Sequence, residues 1–267
     1  MMKISKLIIL YLGAILLFSL IQLWISNGYP GILKENFKGG VQRFQTFKCQ
    51  SDLLPNCSKL DFSQQGHKIL LGDSEAMSLS DVFKKRFGSI ASVYAENGCS
   101  FVANGINRES FDSKCRELNT LLLTKLLKQC QADIYVFNRF VPKDLFEQKL
   151  YLEFLNQVGK ACNKLVVIGT PLQIRGNFST YSSLVFKRSF DSPKYFNKSD
   201  FMDDYMNWNR ILQKEIENSV NSVYLDTEVL LVKKFPTTLR NSAGNFLYSD
   251  STHVSRYGAE IIATNLP

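Results

Sequence analysis

Side chains suited to nucleophilic catalysis stand in two separate parts of this 267-residue sequence. Ser74 ends the tripeptide Gly-Asp-Ser, and far downstream Asp250 precedes His253 by three residues. A hydroxyl nucleophile needs a base that takes its proton, and the base needs an acid that fixes its tautomer. The three residue types therefore fit a catalytic triad with Ser74 as the nucleophile, His253 as the base and Asp250 as the orienting acid.

The sequence offers only two histidines for the role of the base, His67 and His253. His67 lies on the predicted strand that leads to Ser74, seven residues before it, so their Cα atoms should be about 23 Å apart at about 3.3 Å per residue. His253 is therefore the candidate. Two simpler interpretations remain open at this point: Ser74 as a helix cap, a position that Asp and Ser favour, and His253 as a capping or core residue.

The elements that must position these side chains follow an alternating pattern. The apolar run 69–71 predicts a strand, and the helical spacing of apolar residues behind Gly72 predicts a helix, which places Ser74 where open α/β sheets carry their chemistry. Further strands are predicted at 90–95, 134–137, 165–168 and 223–225, and further helices at 113–130, 145–161, 203–218 and from about 255. Strands separated by helices of this length indicate an α/β fold with a parallel sheet of about five strands.

The N-terminal segment is almost wholly apolar over residues 7–25. As a helix it would span about 28 Å, roughly the hydrocarbon core of a bilayer. Lys3 and Lys6 precede it, so the positive-inside rule leaves the N-terminus in the cytoplasm and exports the rest. A cleaved signal peptide is the alternative, although no A-x-A-like site follows. The predicted organisation is a transmembrane anchor (1–27), a linker and entry segment (28–65) and an exported domain (66–267).

The six cysteines all lie in the part of the chain that is predicted to be exported. An even count outside the cytoplasm favours disulfides, and pairing in chain order is the simplest connectivity, although some buried free thiols would also fit. That connectivity is 49–57, 99–115 and 130–162. Zinc is not expected, because there is no C-x-x-C pair and neither histidine lies near the cysteines in sequence.

The net charge of +8 is spread along the chain without a Lys/Arg block. This distribution argues against a nucleic-acid partner and suits an anionic polymer or a membrane surface. The predicted loop 171–201 mixes aromatic and cationic side chains, which either form a platform or lid for a glycan or pack the loop onto the domain. These side chains are Arg175, Phe178, Tyr181, Phe186, Lys187, Arg188, Phe190, Lys194, Tyr195, Phe196 and Lys198.

The motifs at the two ends of the predicted domain resemble those of the SGNH hydrolase superfamily, in particular the SGNH domain fused to bacterial membrane acyltransferases that O-acetylate surface polysaccharides. The resemblance covers about residues 66–263 and rests on three motifs: Gly72-Asp73-Ser74, Asp250-x-x-His253 and Ser255-x-x-Gly258-Ala259. It implies a flavodoxin-like three-layer α/β/α fold and the same triad roles. It also implies an oxyanion hole that consists of the Ser74 N–H, a glycine after the second strand (Gly98, with Gly105 as alternative) and Asn138 after the third. Neither a metal nor a cofactor is expected.

Two departures from the fused-domain relatives affect what the resemblance implies. Glu75 stands where they usually carry histidine, and the chain has one candidate membrane span rather than a multi-pass acyltransferase domain.

The expected function is that of a membrane-anchored, extracytoplasmic serine esterase or O-acyltransferase. It would act on acyl groups, chiefly acetyl, of cell-surface or cell-wall glycans in the bacterial periplasm or on the outer face. For transfer, a separate membrane protein would supply the acyl group. The alternative is a catalytically silent SGNH-fold subunit that binds polysaccharide or scaffolds an assembly.

Overall fold

The structure is a computed structural model that describes residues 61–95, 98–103, 106, 113–174, 201–233, 239, 247–248 and 252–267. The predicted membrane anchor, most of the predicted linker and the greater part of the loop 171–201 lie outside these residues. Among single residues, Cys49, Cys57, Gly105 and Asp250 lie outside them as well. Within the described part of the chain, no helix is both long enough and apolar enough to cross a membrane.

Five parallel strands form one sheet in the order β2-β1-β3-β4-β5. The strands are β1 (Lys68–Gly72), β2 (Ala91–Ala95), β3 (Asp133–Phe137), β4 (Lys164–Ile168) and β5 (Ser222–Leu225). The helices are α1 (Ser74–Phe87), α2 (Ser113–Lys128), α3 (Leu145–Ala161), α4 (Asp203–Glu217) and α5 (Arg256–Asn265), with a 3₁₀ turn at Gly88–Ile90 and a π-helical turn at Val229–Lys233. This strand order is the flavodoxin-like one, in which the order of strand addition reverses between β1 and β3 while all strands stay parallel.

The central strands are buried on both faces, as expected for a parallel sheet that helices cover on each side. Along β3, Ile134 and Val136 pack into one core while Tyr135 and Phe137 pack into the other. Helices α2, α3 and α4 contribute to the first core, and α1 and α5 to the second. The fold is therefore the three-layer α/β arrangement with a five-stranded parallel sheet that the sequence predicts.

Two disulfides join neighbouring cysteines in chain order. Cys99–Cys115 ties the loop after β2 to the first turns of α2, and Cys130–Cys162 ties the segments that follow α2 and α3. The described residues contain no free cysteine. The predicted pairing is confirmed for these four residues. Because disulfides persist in oxidising compartments, the two bonds indicate an extracytoplasmic domain.

We expect mass spectrometry of the non-reduced protein to recover the peptide pairs 99–115 and 130–162. The first bond closes a segment with a sequence separation of 16. Because this bond reduces the conformational entropy of the unfolded chain, it should contribute about 3 kcal/mol to the free energy of unfolding. Urea denaturation of a Cys99→Ser/Cys115→Ser protein measures this loss. Alkylation of these four cysteines without a reductant would contradict the assignment.

Candidate active site

A strand, a tight turn and a helix place Ser74 at the carboxyl edge of the sheet, next to the point where the strand order reverses. Gly72 ends β1 opposite Phe137 of β3, and a Cβ at this glycine would lie 2.0 Å from the Phe137 carbonyl oxygen. Only glycine therefore allows this approach of the two strands. Asp73 is the N-cap of α1, since its Oδ1 accepts the Glu75 N–H at 3.0 Å. Ser74 is the first helical residue, so the capping role belongs to Asp73.

The buried carboxylate of Asp73 also joins two other turns of the same edge. Its Oδ2 accepts the Ser100 hydroxyl at 2.6 Å, from the loop after β2, and the Arg139 backbone N–H at 2.9 Å, from the loop after β3. Burial raises the pKa of Asp73 above its ordinary value, and the three hydrogen bonds partly oppose that rise. This bracing role was not predicted from the sequence. The only sequence signal was the place of Asp73 in the Gly-Asp-Ser motif.

The segment that carries the histidine is fixed by backbone contacts just before α5. Tyr248 and Val254 form an antiparallel bridge, and the Ser255 N–H donates to the Leu247 carbonyl at 2.8 Å. The Ser255 hydroxyl caps α5 by accepting the N–H groups of its first turn. At Gly258 a Cβ would lie 2.2 Å from the Leu247 carbonyl oxygen, so this helix start also requires glycine. Since α5 packs beside α1, His253 reaches the turn that holds Ser74.

The Ser74 hydroxyl oxygen lies 3.0 Å from Nε2 of His253, and both side chains are partly exposed. The other ring nitrogen, Nδ1, lies 3.1 Å from the Thr252 hydroxyl. If Nε2 accepts the Ser74 proton, Nδ1 carries the ring proton and donates it, because a neutral imidazole has one donor and one acceptor. His67 bonds the Ser92 hydroxyl through Nε2 at 2.9 Å instead. The structure thus brings Ser74 and His253 together, while Asp250 lies outside the described residues.

Asn138 follows β3 and pairs with the backbone of the loop after β2. Its Oδ1 accepts the Phe101 N–H at 3.0 Å, and its Nδ2 donates to the Phe101 carbonyl at 2.7 Å. This two-point pairing fixes which end of the amide is the donor. The Nδ2 group also contacts the Tyr151 hydroxyl at 3.1 Å. In this structure both N–H groups of the amide therefore have acceptors within the protein.

The other two predicted donors of the oxyanion hole differ in their surroundings. Ser74 begins α1, and the N–H groups of a first helical turn have no acceptor within the helix. Gly98 is exposed, has a φ of 72° and has open space where a Cβ would stand. A φ of this size favours glycine, which explains the residue type at this turn without reference to catalysis.

A second asparagine repeats the geometry of Asn138 one strand further along the sheet. Asn209 on α4 accepts the Thr170 N–H at 3.0 Å and donates to the Thr170 carbonyl at 2.8 Å. The Thr170 hydroxyl in turn donates to the Asn138 backbone carbonyl at 3.0 Å. The loops after β2, β3 and β4 are thereby linked through buried amides.

In the part of the chain that the structure describes, no group of three or more His, Cys, Asp and Glu side chains is placed to hold a metal ion. The arrangement at Ser74 brings together a hydroxyl, an imidazole within hydrogen-bond distance of it and a helix N-terminus. Such a set suits acyl transfer through a covalent intermediate.

The chain is similar to known proteins in sequence and in fold. Residues 47–266 match the model of a family described as SGNH domain (fused to AT3 domains). The periplasmic domain of a lipopolysaccharide acetyltransferase from Salmonella ser. Paratyphi A is similar in structure, with a TM-score of 0.56 and 15% sequence identity over 90% of this chain and 94% of that one. The C-terminal catalytic domain of Streptococcus pneumoniae peptidoglycan O-acetyltransferase A gives a TM-score of 0.46 and 12% identity over 75% of this chain and 89% of that one.

No curated protein matches the sequence. Since the family model spans most of the chain, this protein belongs to the SGNH domain family whose members occur fused to AT3 domains.

Proposed function

We propose that this protein is a membrane-anchored, extracytoplasmic serine enzyme that transfers or removes acyl groups, chiefly acetyl, on cell-surface or cell-wall glycans. Membership of the SGNH family supports acetyltransferase or esterase activity. The observation that carries the proposal is the contact of 3.0 Å between the Ser74 hydroxyl and His253 Nε2. This distance lies within the range in which a base takes the proton of its nucleophile.

The proposed reaction begins when Ser74 Oγ attacks the carbonyl carbon of an acyl ester while its proton passes to His253 Nε2. The tetrahedral intermediate then collapses, and the imidazolium gives its proton to the departing alcohol, which leaves an acyl-Ser74. Water completes hydrolysis, or a glycan hydroxyl completes transfer, with His253 again taking the proton. Asp250 is the proposed orienting acid at Nδ1, where the Thr252 hydroxyl already lies at 3.1 Å.

The proposed oxyanion hole contains the Ser74 N–H, Gly98 and Asn138. For Asn138 to take part, one of its N–H groups must leave its present acceptor. The contact with the Tyr151 hydroxyl at 3.1 Å is longer than that with the Phe101 carbonyl at 2.7 Å, so the Tyr151 contact is the one that an oxyanion would replace. The Phe101 pairing would then hold the amide in place while the freed N–H donates to the oxyanion.

Location and substrate are supported by four observations. The disulfides indicate an oxidising compartment. The apolar run 7–25 supports one membrane anchor, and the AT3 fusion of the family supports a separate membrane protein as acyl donor. The similar Salmonella domain is described as the periplasmic part of a lipopolysaccharide acetyltransferase, which supports a surface glycan as the acceptor.

A fluorophosphonate probe, which reacts with activated serines, tests the proposal on the full-length protein. We expect tandem mass spectrometry to find the label on Ser74. The same digest should show no label on Ser219, whose hydroxyl donates to the Glu215 carbonyl at 2.8 Å. Ser74→Ala should remove the labelling. A folded wild-type protein without label would favour the silent subunit that binds polysaccharide or scaffolds an assembly.

A further inference from the structure

Arg139 lies on the same edge of the sheet as Ser74 but is not part of the proposed triad or oxyanion hole. It follows Asn138 at the carboxyl end of β3, and its backbone N–H donates to Asp73 Oδ2 at 2.9 Å. Asp73 immediately precedes Ser74, so the Arg139 backbone is held against the turn that carries the nucleophile. The Arg139 side chain is partly buried at this edge.

Within the part of the chain that the structure describes, the guanidinium of Arg139 bonds only neutral groups. Its Nε donates to the Tyr205 hydroxyl at 3.4 Å, and its Nη2 donates to Gln173 Oε1 at 3.3 Å. Among the described residues, the ion pairs of the structure do not include Arg139. A guanidinium has five N–H donors, so these two long contacts leave most of its hydrogen-bonding capacity unused.

The two neutral partners are themselves fixed at the base of the loop that joins β4 to α4. The Met202 N–H donates to the Gln173 carbonyl at 2.9 Å, and Ile174 forms an antiparallel bridge with Phe201. Tyr205 follows within the first turn of α4. The cation is therefore oriented by a braced part of the fold, on the same edge of the sheet as Ser74.

We infer that Arg139, oriented by Gln173 and Tyr205, forms a subsite for an anionic group of the acyl-bearing glycan, either the carboxylate of an acidic sugar or a sugar phosphate. A partly desolvated guanidinium without a carboxylate partner presents a planar set of donors that matches both groups. The net charge of +8 favours the approach of an acidic polymer. The inference rests on the proposed function, because it assigns the subsite to the substrate of Ser74.

Binding without turnover tests this subsite. In the full-length Ser74→Ala protein, ligand-observed NMR titrations compare methyl glucuronide, glucose 6-phosphate and methyl glucoside. We expect at least one of the two anions to bind roughly tenfold or more tightly than the neutral glucoside. Adding Arg139→Gln should remove this preference, Arg139→Lys should keep part of it, and 1 M NaCl should weaken it. Whichever anion binds more tightly identifies the source of the charge.

Arg210→Gln is the matched control, because Arg210 is an exposed arginine on α4 that bonds the neighbouring Asn207. It should leave the anion preference unchanged. Equal binding of all three sugars, or a preference that survives Arg139→Gln in a protein with an unchanged melting temperature, would overturn the subsite.

The proposed function and the proposed subsite can fail separately. Wild-type protein that binds the anion but neither hydrolyses esters nor reacts with the fluorophosphonate probe would contradict only the proposed function, and an active esterase without anion preference would contradict only the subsite.

Discussion

Ser74→Ala should abolish hydrolysis of a short-chain aryl acetate, with kcat/KM falling by about 10⁴-fold or more. The alanine removes the oxygen that lies 3.0 Å from His253 Nε2, so no acyl intermediate can form. His253→Ala should cost about as much, because members of a triad act as a unit, whereas Asp250→Asn should cost less. Steady-state kinetics on purified full-length protein measures all three effects.

His67→Ala is the matched control for this series. It removes the other histidine of the chain, whose Nε2 bonds the Ser92 hydroxyl on β2 rather than Ser74. We expect its kcat/KM to stay near that of the wild type, and the melting temperatures of all variants establish that they are folded. Equal rates for wild type and Ser74→Ala would eliminate the triad and leave the binding or scaffold function.

Asn138→Asp should lower both stability and turnover. The carboxylate can still accept the Phe101 N–H, but it has no N–H for the Phe101 carbonyl at 2.7 Å or for the Tyr151 hydroxyl. Loss of these buried hydrogen bonds should reduce the free energy of unfolding by about 2–4 kcal/mol. If the amide also donates to the oxyanion, kcat should fall by about 10²–10³-fold with little change in KM.

Asn209→Asp separates the two effects, because Asn209 pairs with the Thr170 backbone in the same two-point manner but is not a proposed donor. It should lower stability by a similar amount and leave the kcat of folded protein unchanged. Thermal melts and initial rates on both variants make the comparison. A normal kcat in folded Asn138→Asp would remove Asn138 from the oxyanion hole and leave the Ser74 N–H and Gly98.

The sequence predicts the fold closely because hydrophobic periodicity and short breaks mark each element locally. Helix α3 has the predicted bounds, and the predicted strand at 90–95 begins one residue later, at Ala91, because Ile90 ends the 3₁₀ turn. The pairing of Cys99 with Cys115 and of Cys130 with Cys162 also follows chain order. The bounds of these elements depend on residues that are close in sequence. The disulfide pairing could be predicted because the number of cysteines is even and neighbours in chain order pair.

The site could be predicted only in part, because its remaining contacts join distant segments through side chains and backbone. Ser74 and His253 could be chosen because few residue types can act as nucleophile and base. Nothing in the sequence indicates that the Asn138 amide donates to the Phe101 carbonyl. Nor does it indicate that, among the described residues, the Arg139 guanidinium bonds only neutral groups. Such contacts depend on how close the folded sheet brings the loops at its edge, and local sequence patterns do not give these distances.

The three hydrogen bonds of Asp73 limit how the loops of this domain can be exchanged between family members. One carboxylate accepts the hydroxyl of Ser100 and the backbone N–H groups of Glu75 and Arg139, so the loops after β2 and β3 and the first turn of α1 all donate to it. A transplanted loop after β2 that lacks a donor at the Ser100 position would leave part of a buried carboxylate without its partner, at a cost to folding. Chimaeras that exchange these loops should therefore vary the distal parts of the loops and retain the three donor positions as one unit.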